Sequence, residues 1–230
     1  MATFYVVATP IGNLEDITLR ALRILKEVNL ILCEDTRVTR TLLSHYKITT
    51  QTLSYHTHST DMKVGMILAL LKEGKDLALV SDAGTPGISD PGSMLVQEIR
   101  AELPEVNIVA VPGSSALVSA ISISGLPSTD FTFLGFLPHK KGRETLFKEI
   151  TKMERIAVFY ESPHRILKTL VSLAKHFEEA GHVSRRLVIA REITKMFEEV
   201  ISGTPQEILA YFEKNPDKMR GEFVVMVGQR

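Results

Sequence analysis

Short apolar runs alternate with longer stretches of mixed character through the first half of the chain. The runs at 4–8, 29–33, 52–55, 77–80 and 108–111 have the length and composition of strands. Between them apolar residues recur at helical steps: Ile17, Ala21, Leu22 and Leu25, then Leu42 with Thr41 and His45, then Val64, Ile67, Leu68 and Leu71. This alternation predicts parallel strands joined by crossover helices. A further helix over 93–101 stops ahead of Pro104, because a proline disfavours helix in the residue before it. Small and β-branched residues at 113–125 predict a tightly packed helix whose first N–H groups are open.

Gly125-Leu126-Pro127-Ser128 breaks the pattern, and a new block begins at Phe131. The break predicts two α/β domains, 1–125 and 126–230. In the second, strands are predicted at 131–136, 156–160, 187–191, 198–202 and 222–227, and helices at 143–153, 163–177 and 205–212. The last helix has a Thr204 cap, Pro205 at its first position and Glu207 at its third, a well-marked start.

Composition narrows the setting. With 230 residues, 44% hydrophobic and 23% charged, the chain falls in the ordinary globular range. Its apolar runs are too short to cross a bilayer and no secretion segment opens the sequence, so the expected compartment is the cytoplasm. The single cysteine, Cys33, sits in the apolar run LILC and reads as a buried thiol; one thiol excludes a disulfide framework and a cysteine-rich zinc site. Formal net charge is zero, so any nucleic-acid site must be local. The basic clusters are Arg37 with Arg40, His139-Lys140-Lys141 with Arg143, and Arg185 with Arg186.

Several segments carry chemistry. The first strand runs into ATPIGNLEDIT, where Pro10 and Gly12 shape a strand-to-helix turn of the kind that meets ligands at a sheet edge. Neither a GxGxxG fingerprint nor a GK[ST] phosphate loop is present, which argues against dinucleotide and nucleoside triphosphate sites. The strongest signal is VSDAGTPGISDPG at 80–92, a strand followed by a loop with three glycines and two prolines, suited to close, preorganised backbone approach to a ligand. There Asp82 is placed either to accept from a ligand hydroxyl or ammonium or to form an Asx turn. VPGSSA at 111–116 repeats the strand, turn and helix plan. In FYESPHR at 159–165, His164 and Arg165 occupy the positive end of a helix, so they meet either an external anion or a local partner such as Glu161. Arg191-Glu192-Ile193-Thr194-Lys195 with Glu198-Glu199 forms another polar cluster. His56 and His58 have no third ligand nearby, and no metal site is expected.

Taken in order, TPIGNLEDIT, CEDTRVTRTLL, SDAGTPGISDPG, VPGSSA, GFLP, FYESPHR, REITKMFEE and RGEFVVMVG resemble the tetrapyrrole-methylase superfamily, in its ribosomal RNA-methylating branch, over nearly the whole chain. The HTHS stretch at 56–59 departs from the acid-containing version of that pattern. The resemblance implies a two-lobed α/β tetrapyrrole-methylase-like fold, with S-adenosyl-L-methionine in a cleft between the lobes, and a homodimer. It implies methylation of a cytidine ribose 2′-hydroxyl in the decoding region of small-subunit ribosomal RNA. The cofactor contacts that it suggests are Pro10, Ser81, Asp82, Ala83, Thr85, Ser115, Ala116, Tyr160 and Glu161.

A ribose hydroxyl is a poor nucleophile, and Glu34, Asp35, Glu161 and Glu192 are the carboxylates expected to supply a base. RNA contacts are expected from Arg37, Arg40, Lys140, Lys141, Arg143, His164, Arg165 and Lys195. The alternatives are a sister enzyme acting on a tetrapyrrole precursor or a modified histidine, and a non-catalytic ribosomal RNA-binding assembly factor. A nicotinamide-dependent oxidoreductase is disfavoured by the missing fingerprint.

Overall fold

The structure is a computed structural model that describes all residues except 57–59, 91, 128 and 230. The expectations placed on His58, on the loop at Pro91 and on the break at Ser128 therefore lie outside the described residues. The chain divides into two units, Met1–Ser115 and Ala116–Arg230. This division falls ahead of the helix that the sequence break had placed in the first domain, and that helix packs on the last strand of the second unit.

The first unit alternates β1 (Thr3–Val7), α1 (Leu19–Glu27), β2 (Leu30–Cys33), α2 (Thr36–His45), β3 (Thr52–Ser54), α3 (Asp61–Lys72), β4 (Leu77–Leu79), α4 (Ser93–Glu102) and β5 (Asn107–Val111). Its sheet is wholly parallel in the order β3-β2-β4-β1-β5. Alternate strand residues enter two different cores. Phe4, Leu32, Leu77 and Leu79 pack with Ile67 and Leu71 of α3 and Leu95 and Ile99 of α4. Val7, Ile31, Cys33 and Ala78 face the other way, against Ala21 and Leu25 of α1 and Leu43 of α2. Both faces are covered, which explains runs that are apolar throughout instead of alternating.

Helices α1 and α2, which follow β1 and β2, thus lie on one face, and α4, which follows β4, lies on the other. Strand β4 sits between β2 and β1, so its exit is flanked by chains leaving in the opposite sense. That is a topological switch point, where a crevice opens at the carboxyl ends of the strands.

The second unit contains α5 (Ala116–Ile123), β6 (Phe131–Phe136), α6 (Arg143–Lys152), β7 (Ile156–Glu161), α7 (Ile166–Glu179), β8 (Leu187–Arg191), β9 (Glu199–Gly203), α8 (Pro205–Lys214) and β10 (Phe223–Val227). The sheet order is β6-β7-β10-β8-β9, parallel between β6 and β7 and antiparallel elsewhere. Phe147, Phe159, Leu170, Phe177, Phe212 and Phe223 fill its core.

Local chemistry fixes the element ends. Thr204 and Glu207 form the capping box of α8. Helix α2 starts at Thr36, earlier than its apolar spacing suggests, because the Asp35 side chain accepts from the Arg37 N–H. Helix α7 starts at Ile166, later than Pro163, since 163–165 form a turn in which the Ser162 carbonyl accepts from the Arg165 and Ile166 N–H groups. Arg185 is no surface cation: it is 5% exposed and donates to the carbonyls of Ile150, Thr151, Met153 and Gly228. Cys33 is buried, its thiol pushed up by that burial. Among the described residues no helix is long and apolar enough to cross a membrane.

Candidate functional site

At the carboxyl edge of the first sheet the loop after β4 is tied to the strand exits on both sides. Thr9, just past β1, exchanges backbone hydrogen bonds with Gly84, at 2.9 Å and 3.0 Å. The Thr9 hydroxyl donates to the Ser81 carbonyl at 3.1 Å. Ser81 is buried, with its own hydroxyl directed at the carbonyls of Ala83 and Gly84. Gly84 has φ +81°, a conformation that other residues adopt at a cost. The Thr85 hydroxyl reaches the Ser114 carbonyl beyond β5 at 3.3 Å. Gly113 runs so close to Ala8 that a Cβ on it would lie 2.9 Å from the Ala8 Cβ. On the other side Asp82 Oδ1 accepts from the Asp35 N–H at 3.0 Å, so it braces the exit of β2. Four strand exits are thereby locked around one crevice.

The crevice is acidic. A cavity of about 840 Å³ is lined by Glu34, Tyr55, His56, Asp61, Asp90, Ser93 and Glu98 among others. A neighbouring recess of about 560 Å³ is lined by Glu34, Asp35, Arg37, Ser54, His56 and Asp82. Both volumes fall in the usual range for small-molecule pockets. Glu34 belongs to both recesses; partial burial and the nearby Asp82 and Asp35 charges raise its carboxyl above the ordinary range, against the opposing pull of His56. Asp90, on the far limb of the loop, is pushed up to about 6 by burial and by the Glu34 and Asp82 charges. Asp35 goes the other way, to about 2, because the Arg37 side chain and backbone donate to it.

In the second unit Glu161 ends β7 with no side-chain exposure. Its Oε1 accepts from Arg165 Nε at 3.1 Å and from the Ser162 N–H at 2.9 Å. Its Oε2 accepts from the Thr169 hydroxyl at 2.6 Å and faces Arg143 Nη2 at 3.6 Å. Of the two readings open for Arg165, the local partner Glu161 is what it meets.

Glu192 and Thr194 both hold left-handed backbone, φ +51° and +68°. Burial works against the Glu192 carboxylate, but Lys195 and the Glu222 N–H donate to it and together hold it below the ordinary range. Lys195 also pairs with Glu222 at 2.9 Å.

The structure therefore brings Pro10, Ser81, Asp82, Ala83, Thr85 and Ser115 to one sheet edge with Glu34, Asp35 and Arg37. Ala116, Tyr160 and Glu161 belong to the second unit. Arg40 lines a separate recess with Lys47 and Gln51. Arg37 is bound to Asp35 at 2.6 Å, and Arg143, Arg165 and Lys195 are held by internal carboxylates. Lys140, Lys141 and His164 are exposed. Sequence reasoning did not assign Asp90 or His56 to the crevice. The signal for Asp90 was the Asp-Pro-Gly that ends the loop which Asp82-Ala83-Gly84 begins. Among the described residues no group of His, Cys, Asp or Glu is arranged to hold a metal ion.

A sequence model of the tetrapyrrole (corrin/porphyrin) methylases matches residues 3–209. A Thermotoga maritima protein named ribosomal RNA small subunit methyltransferase I is 48% identical over 99% of this chain and 98% of its own length. A Synechocystis protein of the same name is 45% identical over 99% of this chain and 79% of its own. Among solved structures, a cobalt precorrin-4 methyltransferase has a TM-score of 0.68 at 19% identity, covering 98% of this chain and 94% of its own. A diphthine synthase reaches 0.71 at 12% identity, covering 99% and 90%. The parallel first sheet with its braced switch-point loop, the mixed second sheet and these matches lead to one conclusion: the chain belongs to the tetrapyrrole methylase family and has its two-unit α/β fold.

Proposed function

We propose that the chain transfers a methyl group from S-adenosyl-L-methionine to the 2′-hydroxyl of a cytidine in the decoding region of small-subunit ribosomal RNA. Membership of a methylase family supports the reaction class, and the names of relatives matched over nearly the whole of this chain support ribosomal RNA as substrate. With the ribosome as substrate, the place of work is the cytoplasm.

The observation that carries the reading is the crevice at the β1, β2, β4 and β5 exits. Its chemistry fits a cationic ligand that also bears hydroxyls: Glu34 and Asp82 offer carboxylate oxygens, and the Gly84 turn lets backbone groups come close. The cofactor supplies an activated methyl on a positively charged sulfur. The protein's part is to hold and align the two partners, which accounts for much of the rate effect in such transfers.

Of the four carboxylates considered as base, Asp35 is held by Arg37, Glu161 by Arg143, Arg165 and Thr169, and Glu192 by Lys195. Glu34 is left, and partial burial with the nearby Asp82 and Asp35 charges raises its carboxyl above the ordinary range, in the direction that favours taking a proton. We assign to it the proton of the ribose hydroxyl.

Calorimetry tests the cofactor assignment. The parent chain should bind S-adenosyl-L-methionine without added metal, and Asp82→Ala should weaken that binding about tenfold, the cost of one hydrogen bond to a charged group. Absence of binding by the parent contradicts the proposal.

A further inference from the structure

We propose that residues 136–141 of the second unit form a docking arm for single-stranded RNA, in which the Phe136 ring stacks on a base and Lys140 and Lys141 hold the flanking phosphates. The inference rests on the RNA reading above and divides the basic cluster of this unit into an internal brace and an outer contact layer.

The backbone turns Phe136 outward. Strand β6 lies at the sheet edge, and its pairing with β7 shifts register between Phe133 and Phe136, where Gly135 has φ +62°. A bulge of this kind re-aims the side chain that follows it. Phe136 is left 59% exposed. It is not loose, because it meets Tyr160 edge to face at 5.4 Å, and Tyr160 meets Phe133 in the same way at 5.0 Å. An aromatic ring steadied from one side and open on the other is a stacking platform, tolerant of base identity because every base has a π face.

The chain beyond Phe136 is then clamped from inside. Leu137 is buried at 2% exposure. Arg165 Nη2 donates to the carbonyl of Leu137 at 2.5 Å, and Arg143 Nη1 donates to that of Pro138 at 3.0 Å. Both guanidinium groups are aimed at the one buried carboxylate of Glu161, so the brace carries a residual positive charge beneath the arm. Arg143 and Arg165 are spent on this geometry. Lys140 and Lys141 are exposed, and no ion pair engages either among the described residues. The nearest acid in sequence, Glu144, faces His176 Nε2 at 3.3 Å.

An exposed ring beside two exposed lysines on a clamped loop suits an unstacked strand. A-form helix presents no free base face, whereas a splayed loop does. The lysines should therefore contribute the salt-dependent part of binding and Phe136 the salt-independent part.

The test uses the full chain, unmethylated small ribosomal subunits as methyl acceptor, and a fluorescein-labelled, unstructured oligoribonucleotide read by anisotropy at several salt concentrations. Lys140→Ala and Lys141→Ala should each reduce the log–log salt slope by about 0.7 and raise KM for subunits. Phe136→Leu should weaken oligonucleotide binding by about 5- to 100-fold with the slope unchanged, and Phe136→Trp should restore it. S-adenosyl-L-methionine affinity should not move in any of these variants. If the parent methylates subunits but the Phe136→Leu and double lysine variants keep KM and oligonucleotide affinity within about twofold, the docking arm is refuted while the function stands. Failure of the parent to bind the oligonucleotide refutes it too, and a raised KM with unaltered oligonucleotide binding would make the arm's partner a ribosomal protein. Absence of methyl transfer by the parent would instead bring down the function reading itself.

Discussion

Glu34, Asp82 and Asp90 crowd their charges into one crevice, and burial together with that crowding raises the proton affinity of Glu34 and of Asp90. Asp90 ionises near 3.8 when unfolded and at about 6 in the fold. Between those values the folded chain holds a proton that the unfolded chain has released, so stability falls as pH rises from about 4 to about 6 and stays lower above. Solvent screening at this half-buried site leaves about 1 kcal/mol of that effect. Asp90→Asn is therefore expected to raise Tm by about 2–4 °C at pH 7.5 and to change little near pH 4, read by calorimetric melts at the two pH values. A variant that is destabilised at pH 7.5 would mean that Asp90 has a cationic partner. Glu161 has the opposite character. Removing it by Glu161→Ala leaves Arg143 and Arg165 facing each other without their shared anion, and urea unfolding should show a loss of about 3–5 kcal/mol. Glu34→Gln, by contrast, should leave the midpoint nearly in place and lower kcat by about 100-fold or more.

At the scale of elements, α3 carries Met62 and Met66 one turn apart, 85% and 47% exposed, and Met94 of the neighbouring α4 is 67% exposed. We propose this face as the contact between two copies of the chain, in keeping with the homodimer that the sequence resemblance implies. Sedimentation of the parent at micromolar concentration should show a dimer, and Met62→Glu with Met66→Lys should give a monomer. A parent that sediments as a monomer excludes it.

The same elements show what the sequence made legible. The parallel strands were readable because residues such as Leu77, Ala78 and Leu79 are apolar on both faces, and the 80–92 loop because glycine and proline mark its turns locally. Strand order was not readable. The Thr9–Gly84 pair and the Asp82–Asp35 bond exist because β4 inserts between β1 and β2, a consequence of packing across the whole unit. For the same reason Asp90 escaped assignment and the internal engagement of Glu161 was not readable: its four partners come from α6, α7 and the turn after β7. The misplaced cations at the start of α7 were a real signal, but of an internal anion.

For the whole molecule, zero net charge excludes a grip on RNA by bulk electrostatics. Under the proposed function, selectivity comes from local shape, with the acidic crevice of one unit assigned to the methyl donor and the exposed lysines of the other to phosphate. Raising salt should weaken binding to ribosomal subunits while leaving S-adenosyl-L-methionine binding almost untouched. The most direct test of the central claim is methyl transfer to a reconstituted small subunit whose target cytidine carries either its natural ribose or the 2′-deoxy sugar, with incorporation of labelled methyl measured at that nucleotide. The natural subunit should become labelled and the 2′-deoxy subunit should not. Equal labelling of both would place the methyl on the base or another atom and contradict the assignment of the ribose hydroxyl as acceptor.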